Sequence, residues 1–367
     1  MVLEIIRDVL AVSSAAAFLT LILVLCEGLI LNYGPCEVTL NGSRKETVQG
    51  GKSLLSSLQE KKIFIPSACG GRGTCGVCKV KVLEGGGPFL PTETPLLTQQ
   101  EQQAGVRLSC QVKVRGPLAI EIPEELFRVR QYQARCSRIE DLTYDMKRFT
   151  FELTEPETIS FTAGQYVQLR CPPYKGSREE VMRAYSIASD PLDSRRIDLI
   201  IRRVPKGICT TWCFDYLRQG DPVSFTGPFG DFYLRDTQTP KLFIAGGSGI
   251  APFVSILWQM KHANDGRQTV FFFGGNRTED LCLLDEMKAF EQTLPNFRFV
   301  PVVAKPAPES RWSGQTGLVT EAVQRSFERL DGWEGYLCGG PGMIEAAMRV
   351  LRQMGIPDEK IYYDKFA

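Results

Sequence analysis

The stretch CGGRGTCGVC, residues 69–78, carries three cysteines in the pattern C-x5-C-x2-C together with four glycines. A loop that wraps an iron–sulfur cluster must turn through positive φ, and glycine does so without steric cost. A fourth cysteine lies further along the chain, and four thiolates are the ligand set of a [2Fe-2S] cluster. The sequence therefore predicts such a cluster, which would carry electrons. Its predicted ligands are Cys69, Cys75, Cys78 and Cys110, and the predicted turn residues are Gly70, Gly71, Gly73 and Gly76.

A structural zinc site is the alternative for these cysteines. Zinc ribbons use two C-x2-C pairs, and only Cys75 and Cys78 form one here. The spacing also departs by one residue from the plant-type pattern C-x4-C-x2-C, which indicates a variant cluster loop with an unchanged number of ligands.

The composition is that of an ordinary globular protein of two or three domains, with 367 residues, 43% hydrophobic and 23% charged. A net charge of +1 and the lack of a basic cluster exclude a nucleic-acid partner. The twelve cysteines indicate reduced thiols that face a cytosol rather than disulfides. Seven of them are expected to be small buried apolar residues. They are Cys26, Cys36, Cys136, Cys171, Cys209, Cys213 and Cys282.

The N-terminus contains an uncharged apolar run from Val9 to Cys26. Its eighteen residues would span about 27 Å as a helix, close to the thickness of a bilayer core. A cleaved signal peptide is the alternative, but residues 1–8 hold Arg7 between two acids and lack a basic region. We predict a single transmembrane anchor over residues 1–34, in a bacterial inner membrane, with the remaining domains cytoplasmic.

Three further domains follow from the periodicity of the chain. The pattern of short strands and a short helix in residues 35–125 predicts a small β-grasp domain around the cluster loop. Residues 130–235 contain strands of period two separated by turns, which indicates an antiparallel β-barrel. Residues 236–367 alternate apolar strands with helical stretches, which predicts a doubly wound parallel α/β sheet.

Two short motifs in the barrel segment suit a flavin. In RAYS, a guanidinium, an aromatic ring and a hydroxyl can meet a diphosphate, a ring face and the flavin N5. In KGICTT, glycine and hydroxyls precede a helix, whose free N–H groups bind phosphate. The alternative for the second motif is a helix cap without a ligand. The candidate FAD-binding residues are Arg183, Tyr185, Ser186, Gly207, Thr210 and Thr211.

The α/β segment carries a dinucleotide motif, GGSGIAP, between the apolar strand 241–245 and a helix. A tight glycine turn at a helix N-terminus forms a pyrophosphate site. Cys338 ends another strand at the carboxyl edge, where ligands bind, although a plain core role is the alternative. The only histidine, His262, is expected on the surface. The candidate nucleotide-binding residues are Gly246, Gly247, Ser248, Gly249, Pro252, Arg277 and Asp280.

The motifs RAYS, KGICTT, GGSGIAP, WSGQTGLV and CGGPGM together resemble the ferredoxin-NADP reductase superfamily over residues 132–367. With the anchor and the C-x5-C-x2-C domain, the whole chain resembles the F subunits of sodium-pumping NADH:quinone reductases. This resemblance implies that Arg183 binds the FAD pyrophosphate, and that Thr210 and Thr211 hold phosphate. It also implies three candidate catalytic residues at the flavin. These are Ser186 at N5, Cys338 facing the nicotinamide, and Phe366 shielding the other flavin face while Tyr185 packs on the ring.

We therefore predict that electrons pass from NADH to FAD, to the [2Fe-2S] cluster and to the membrane subunits of a quinone reductase complex. Glu279 and Asp280 near the adenosine ribose favour NADH over NADPH. Two departures from the family pattern stand out: Gly340 replaces a proline, and only twelve residues separate Arg170 from Arg183, where the family carries a longer insertion. A reductase for an oxygenase or other metalloenzyme, and a non-catalytic electron-transfer or scaffold protein, remain alternatives.

Overall fold

The computed structural model describes residues 2–30, 33–307 and 311–365. The chain divides into two compact units. The first comprises Met1–Ile65 and Gly71–Arg128, and the second comprises Pro66–Gly70 and Val129–Ala367.

The N-terminal segment forms a helix, α1, over Val2–Ile30. Its described side chains are exposed, including large apolar ones such as Val12 and Phe18. Within the described residues, no helix combines the length and the apolar character needed to cross a membrane. The predicted transmembrane anchor is therefore not confirmed.

The rest of the first unit is a five-stranded mixed sheet with two helices, in the strand order β2-β1-β5-β3-β4. Strand β1 pairs in parallel with β5, and the other neighbours are antiparallel. Leu40, Leu54 and Ile120 lie in its core. The elements are β1 Pro35–Leu40, β2 Arg44–Gln49, α2 Leu54–Glu60, β3 Lys79–Glu84, α3 Gln99–Gln103, β4 Val106–Leu108 and β5 Leu118–Glu121.

The second unit begins with a six-stranded antiparallel barrel in the order β10-β7-β6-β11-β8-β9. A bridge between Ile187 and Leu199 joins the two edges of the sheet. Alternating residues such as Phe149, Val167 and Phe225 fill the interior. The elements are β6 Arg130–Asp141, β7 Met146–Glu155, β8 Tyr166–Cys171, β9 Val181–Ser186, β10 Arg196–Arg202, α4 Ile208–Thr211 and β11 Pro222–Phe229.

The remainder of the second unit is a parallel sheet in the order β15-β14-β13-β12-β16-β17. Helices α5 and α6 pack on one face around Phe271, and α7 and α8 on the other around Phe272, so that the sheet is doubly wound. The elements are β12 Lys241–Gly246, α5 Ala251–His262, β13 Thr269–Gly275, α6 Leu284–Thr293, β14 Phe297–Val303, β15 Gln315–Thr316, α7 Val319–Ser326, β16 Glu334–Gly339, α8 Pro341–Gln353 and β17 Ile361–Lys365.

A buried ion pair joins the amino ends of β12 and β16. Lys241 Nζ lies 2.6 Å from Glu334 Oε2, and the two side chains are 0% and 2% exposed. Tyr336 also donates its hydroxyl hydrogen to Glu334. We expect Lys241→Met to destabilise the protein by about 3–5 kcal/mol, because it leaves a buried carboxylate without its cation.

Urea unfolding of the full chain measures this effect. The double variant Lys241→Met with Glu334→Leu is the control, since removing both charges should restore most of the stability. A double variant less stable than the single one would contradict this explanation.

Candidate active site and cluster loop

Three side chains from distant parts of the second unit converge where the barrel meets the parallel sheet. Ser186, at the end of β9, lies with its Oγ 3.2 Å from Asp364 Oδ2 on the edge strand β17. Asp364 pairs in register with Cys338 at the carboxyl end of β16. The structure thus brings together Ser186 and Cys338, which the sequence indicated separately, and adds Asp364 between them.

The Cys338 side chain is fully buried. Burial raises the pKa of its thiol, and the nearby Asp364 raises it further. The thiol is therefore neutral at physiological pH and cannot serve as a thiolate nucleophile. The chain also passes close to it, because a Cβ added to Gly249 would lie 2.3 Å from the Cys338 carbonyl oxygen. This glycine lets the dinucleotide loop approach the end of β16.

Asp364 is the residue that sequence reasoning missed. Burial raises the pKa of its carboxyl group, while the hydrogen bond from Ser186 works in the opposite direction. The signal in the sequence was an acid on the last apolar strand, two residues before the predicted Phe366.

The dinucleotide loop has the geometry that its sequence predicted. Gly247 has a φ of +57° and begins a short 3-10 turn that leads into α5. Pro252 lies in the first turn of α5. The Arg202 guanidinium lies against the loop, 3.2 Å from where a Gly247 Cβ would stand, and it pairs with Asp145 at 2.7 Å. Arg202 is a cationic residue at this loop that the sequence alone did not single out.

The two residues expected at the adenosine ribose have different surroundings. Asp280 is buried, and its two oxygens accept hydrogen bonds from the Tyr144 hydroxyl and the Arg277 backbone N–H, each at 2.9 Å. Arg277 itself is exposed and pairs with Glu279 at 3.2 Å. Asp280 therefore shapes the loop that presents Arg277 and Glu279.

The candidate flavin residues lie around β9 and α4. Arg183 Nη1 donates hydrogen bonds to the carbonyl oxygens of Met182, at 2.7 Å, and Cys69, at 3.2 Å. Tyr185 packs against the barrel core. Thr210 is buried, and its hydroxyl lies 3.2 Å from the Val204 backbone nitrogen. Thr210 thus closes the turn before α4, and no described side chain caps the helix itself.

Two further candidate flavin residues lie at α4, and two other positions named from the sequence lie later in the chain. Thr211 follows Thr210 in α4, and Gly207 caps that helix with its backbone alone. Phe366 lies outside the described residues. Gly340 has a φ of −67° and open space where a Cβ would stand, so a proline would fit there and the departure from the family pattern is structurally small.

The cluster loop has the predicted backbone. Gly70, Gly71, Gly73 and Gly76 have φ values between +68° and +85°. Cys75, Cys78 and Cys110 lie in the first unit, whereas Cys69 lies in the segment Pro66–Gly70 of the second.

The side chains of Cys78 and Cys110 are hydrogen-bonded to each other, which raises the pKa of Cys78. Across the described chain, no three His, Cys, Asp or Glu side chains are grouped as ligands of a single metal ion. The paired thiols and the glycine turns fit a cluster loop, and the complete ligand set stays a prediction.

The sequence predicts that the remaining cysteines are buried and that the histidine lies on the surface. Six of the seven cysteines are buried, and the Cys26 side chain lies outside the described part of the chain. His262 lies on the surface as predicted, and its Nε2 is 2.8 Å from Asp190 Oδ2.

Three family models match the chain in succession. They are the 2Fe-2S iron-sulfur cluster binding domain over residues 38–115, the oxidoreductase FAD-binding domain over 133–233 and the oxidoreductase NAD-binding domain over 243–349. The chain is therefore an oxidoreductase with FAD, a [2Fe-2S] cluster and NADH as its cofactors.

The F subunit of the Na(+)-translocating NADH-quinone reductase of Neisseria meningitidis is 31% identical to this chain, covering 99% of it and 100% of the relative. The corresponding protein of Klebsiella pneumoniae is 32% identical, covering 95% of this chain and 97% of the relative. The chain belongs to this family of Na(+)-translocating NADH-quinone reductase F subunits. The alignment with the Neisseria relative spans 404 positions and this chain has 367 residues, so that this family member lacks segments that its relative contains.

Two solved structures share the fold over most of the chain. The cytochrome P450 reductase GcoB of Amycolatopsis has a TM-score of 0.73 and 30% identity, covering 90% of this chain and 98% of its own. The ferredoxin reductase in carbazole 1,9a-dioxygenase has a TM-score of 0.70 and 26% identity, covering 91% and 98%. The chain thus shares its fold with reductases of oxygenase systems.

Proposed function

We propose that this chain oxidises NADH and passes the electrons through FAD and the [2Fe-2S] cluster to the other subunits of a quinone reductase complex. The convergence of Ser186, Asp364 and Cys338 carries the proposal, because it places a hydroxyl, a carboxyl and a neutral thiol where a dinucleotide loop meets the barrel. FAD, when bound, accepts two electrons together and releases them singly, which joins a two-electron donor to a one-electron cluster.

Each residue has a defined task in this proposal. Ser186 donates its hydroxyl hydrogen to the flavin N5, in place of the hydrogen bond that it donates to Asp364 in this structure. Cys338 packs against the nicotinamide and excludes water from it. Phe366, which lies outside the described residues, would cover the other flavin face, as the family resemblance implies. The dinucleotide loop holds the NADH pyrophosphate at the start of α5, and Arg202 is a neighbouring cation. The loop residues in this role are Gly246, Gly247, Ser248, Gly249 and Pro252.

The flavin and cluster residues complete the assignment. Arg183 and Thr211 bind the FAD phosphates, and Gly207 leaves room for those phosphates. Tyr185 packs on the isoalloxazine ring. The four cysteines Cys69, Cys75, Cys78 and Cys110 hold the cluster. The functional segments run over residues 35–125 for the cluster, 130–235 for FAD and 236–367 for NADH.

Attachment to a membrane through α1 is the finer part of the proposal. Its support is the exposed apolar surface of α1, where Val9, Leu10, Val12 and Leu19 are 57–70% exposed. A chain attached in this way gains effective concentration toward a partner in the same bilayer. We place it in a bacterial inner membrane with its cofactor domains on the cytoplasmic side.

A reductase that serves an oxygenase is the second candidate. The observation that favours it is the short connection between β8 and β9, residues 172–180, in the segment where the family resemblance implies a longer insertion. Tyr174 and Ser177 close this connection with two backbone hydrogen bonds, and the Tyr174 hydroxyl donates to the Ile208 carbonyl at 3.0 Å. The segment is thus a short hairpin fastened to α4 rather than an extended docking element.

Extraction of the native chain with a mild detergent distinguishes the two candidates. Recovery with several membrane subunits and NADH-dependent quinone reduction would support the quinone reductase. A lone chain that is released without detergent and reduces a soluble iron protein would support the oxygenase reductase and overturn the first proposal.

A third prediction concerns the choice between NADH and NADPH. Glu279 neutralises Arg277, the exposed cation that could attract a 2′-phosphate. We expect Glu279→Gln to raise kcat/KM for NADPH up to about fivefold, the range of an exposed ion pair. The same substitution should leave kcat/KM for NADH nearly unchanged. Steady-state kinetics with both nucleotides, and Glu359→Gln as a remote surface control, measure it. An equal rise for both nucleotides would contradict the assignment.

A further inference from the structure

The side chain of Gln111 contacts the sulfur of a predicted cluster ligand. Its Nε2 lies 3.5 Å from Cys110 Sγ, within the range of an N–H···S hydrogen bond. On the other side of the amide, the Thr92 hydroxyl lies 2.8 Å from Gln111 Oε1. All three residues belong to the first unit.

The orientation of this amide follows from the chemistry of its two neighbours. A cluster-bound thiolate can only accept a hydrogen bond, so that the NH2 end of Gln111 must face Cys110. The carbonyl end then faces Thr92, whose hydroxyl can donate. The amide is held from both ends, and its N–H dipole points at the sulfur.

The surrounding backbone keeps this arrangement in place. Gly73 makes room for the amide, because a Cβ at that position would lie 2.5 Å from Gln111 Nε2. Thr92 precedes Glu93, whose carboxylate forms a buried ion pair with Arg107. Arg107 also donates hydrogen bonds to the carbonyl oxygens of Gly86, Gly87 and Pro88, each at 2.9 Å. The loop that carries Thr92 is therefore anchored independently of the cluster loop.

From these contacts we propose that Gln111 is a positioning residue that raises the reduction potential of the [2Fe-2S] cluster through its hydrogen bond to Cys110. The inference rests on the proposed ligation of the cluster by Cys110. On reduction the cluster gains one electron from the flavin and no proton, so that negative charge on its sulfurs increases. A hydrogen bond to those sulfurs stabilises the reduced form more than the oxidised one.

The test is a redox titration of the intact holoenzyme, in which the EPR signal of the reduced cluster is followed against potential. We expect Gln111→Leu to make reduction of the cluster about tenfold less favourable, which for a one-electron couple lowers the midpoint potential by about 59 mV. Gln111→Glu keeps the length, loses the donor and adds a charge, and should lower the potential at least as far. Thr92→Val should lower the midpoint potential less, because the Gln111 amide keeps its N–H donor and loses only the hydrogen bond from Thr92 that orients it.

Two controls separate this inference from the assignment of the ligands. Gln103→Leu, on the exposed side of α3, should leave the potential unchanged. Iron and sulfide content, together with visible circular dichroism, reports whether each variant holds an intact cluster. Loss of the cluster in Cys110→Ser tests whether Cys110 is a ligand. An unchanged or raised potential in Gln111→Leu with full cluster content would overturn the inference. If Gln111→Leu does not assemble its cluster, an unchanged potential in Thr92→Val would overturn it.

Discussion

Replacing Cys338 with Ala should slow the reduction of FAD by NADH about 100-fold, the loss that accompanies a small misplacement of reacting groups. The Cys338 thiol is fully buried at the carboxyl end of β16, so that its removal opens space beside the dinucleotide loop. Because burial and Asp364 raise its pKa and keep the thiol neutral, the loss reflects positioning and not nucleophilic chemistry. Stopped-flow absorbance of the flavin after mixing with NADH measures the rate.

The matched control is Cys282→Ala. Cys282 is also buried in the parallel-sheet part of the second unit but does not lie at the end of β16. The control should bind FAD and the cluster normally and reduce FAD at the native rate. Equal slowing in both variants would show that any buried cavity in this core impairs the reaction, and the assigned role of Cys338 would be lost.

The second large effect is expected for Cys110→Ser. A serine oxygen is a harder ligand than thiolate, and even changes in the outer shell of a metal site cost about 10–100-fold. We expect delivery of electrons beyond the flavin to fall by more than about 100-fold for this reason. Reduction of FAD by NADH should stay within about twofold, since Cys110 and the candidate NADH residues belong to different units. Reduction of an artificial flavin-directed acceptor and of a cluster-directed acceptor, measured side by side, separates the two steps.

Cys36→Ser provides the control, because Cys36 is buried in the core against which Cys110 packs and is not one of the predicted ligands. It should retain the cluster and its electron transfer. Loss of FAD from Cys110→Ser, or normal electron delivery beyond the flavin in that variant, would contradict the assignment of the ligands.

Local signals in the sequence were sufficient for the elements and the loops. The strands of the barrel follow from the period-two alternation of their residues, and those of the parallel sheet follow from short apolar runs separated by helical stretches. The cluster-loop glycines adopt positive φ because the turn requires it, and that requirement is visible in the residue type alone. The dinucleotide loop is predictable for the same reason, with Gly247 in the turn and Pro252 at the start of α5.

The helix α1 marks the limit of such reasoning. An uncharged run of eighteen residues predicts a helix, and a helix is found over Val2–Ile30. Apolar composition alone does not show what covers that helix.

The tertiary structure decided which side chains act together. Ser186 and Asp364 are 178 positions apart, and only the packing of the barrel end against the edge strand β17 brings the two side chains within 3.2 Å. The Gln111 amide reaches Cys110 in the same way because Thr92, on a separate anchored loop, holds its other end. Residue types and spacing are local properties that the sequence states directly. Hydrogen bonds between distant segments depend on how the sheets and loops pack, and so only the folded chain reveals them.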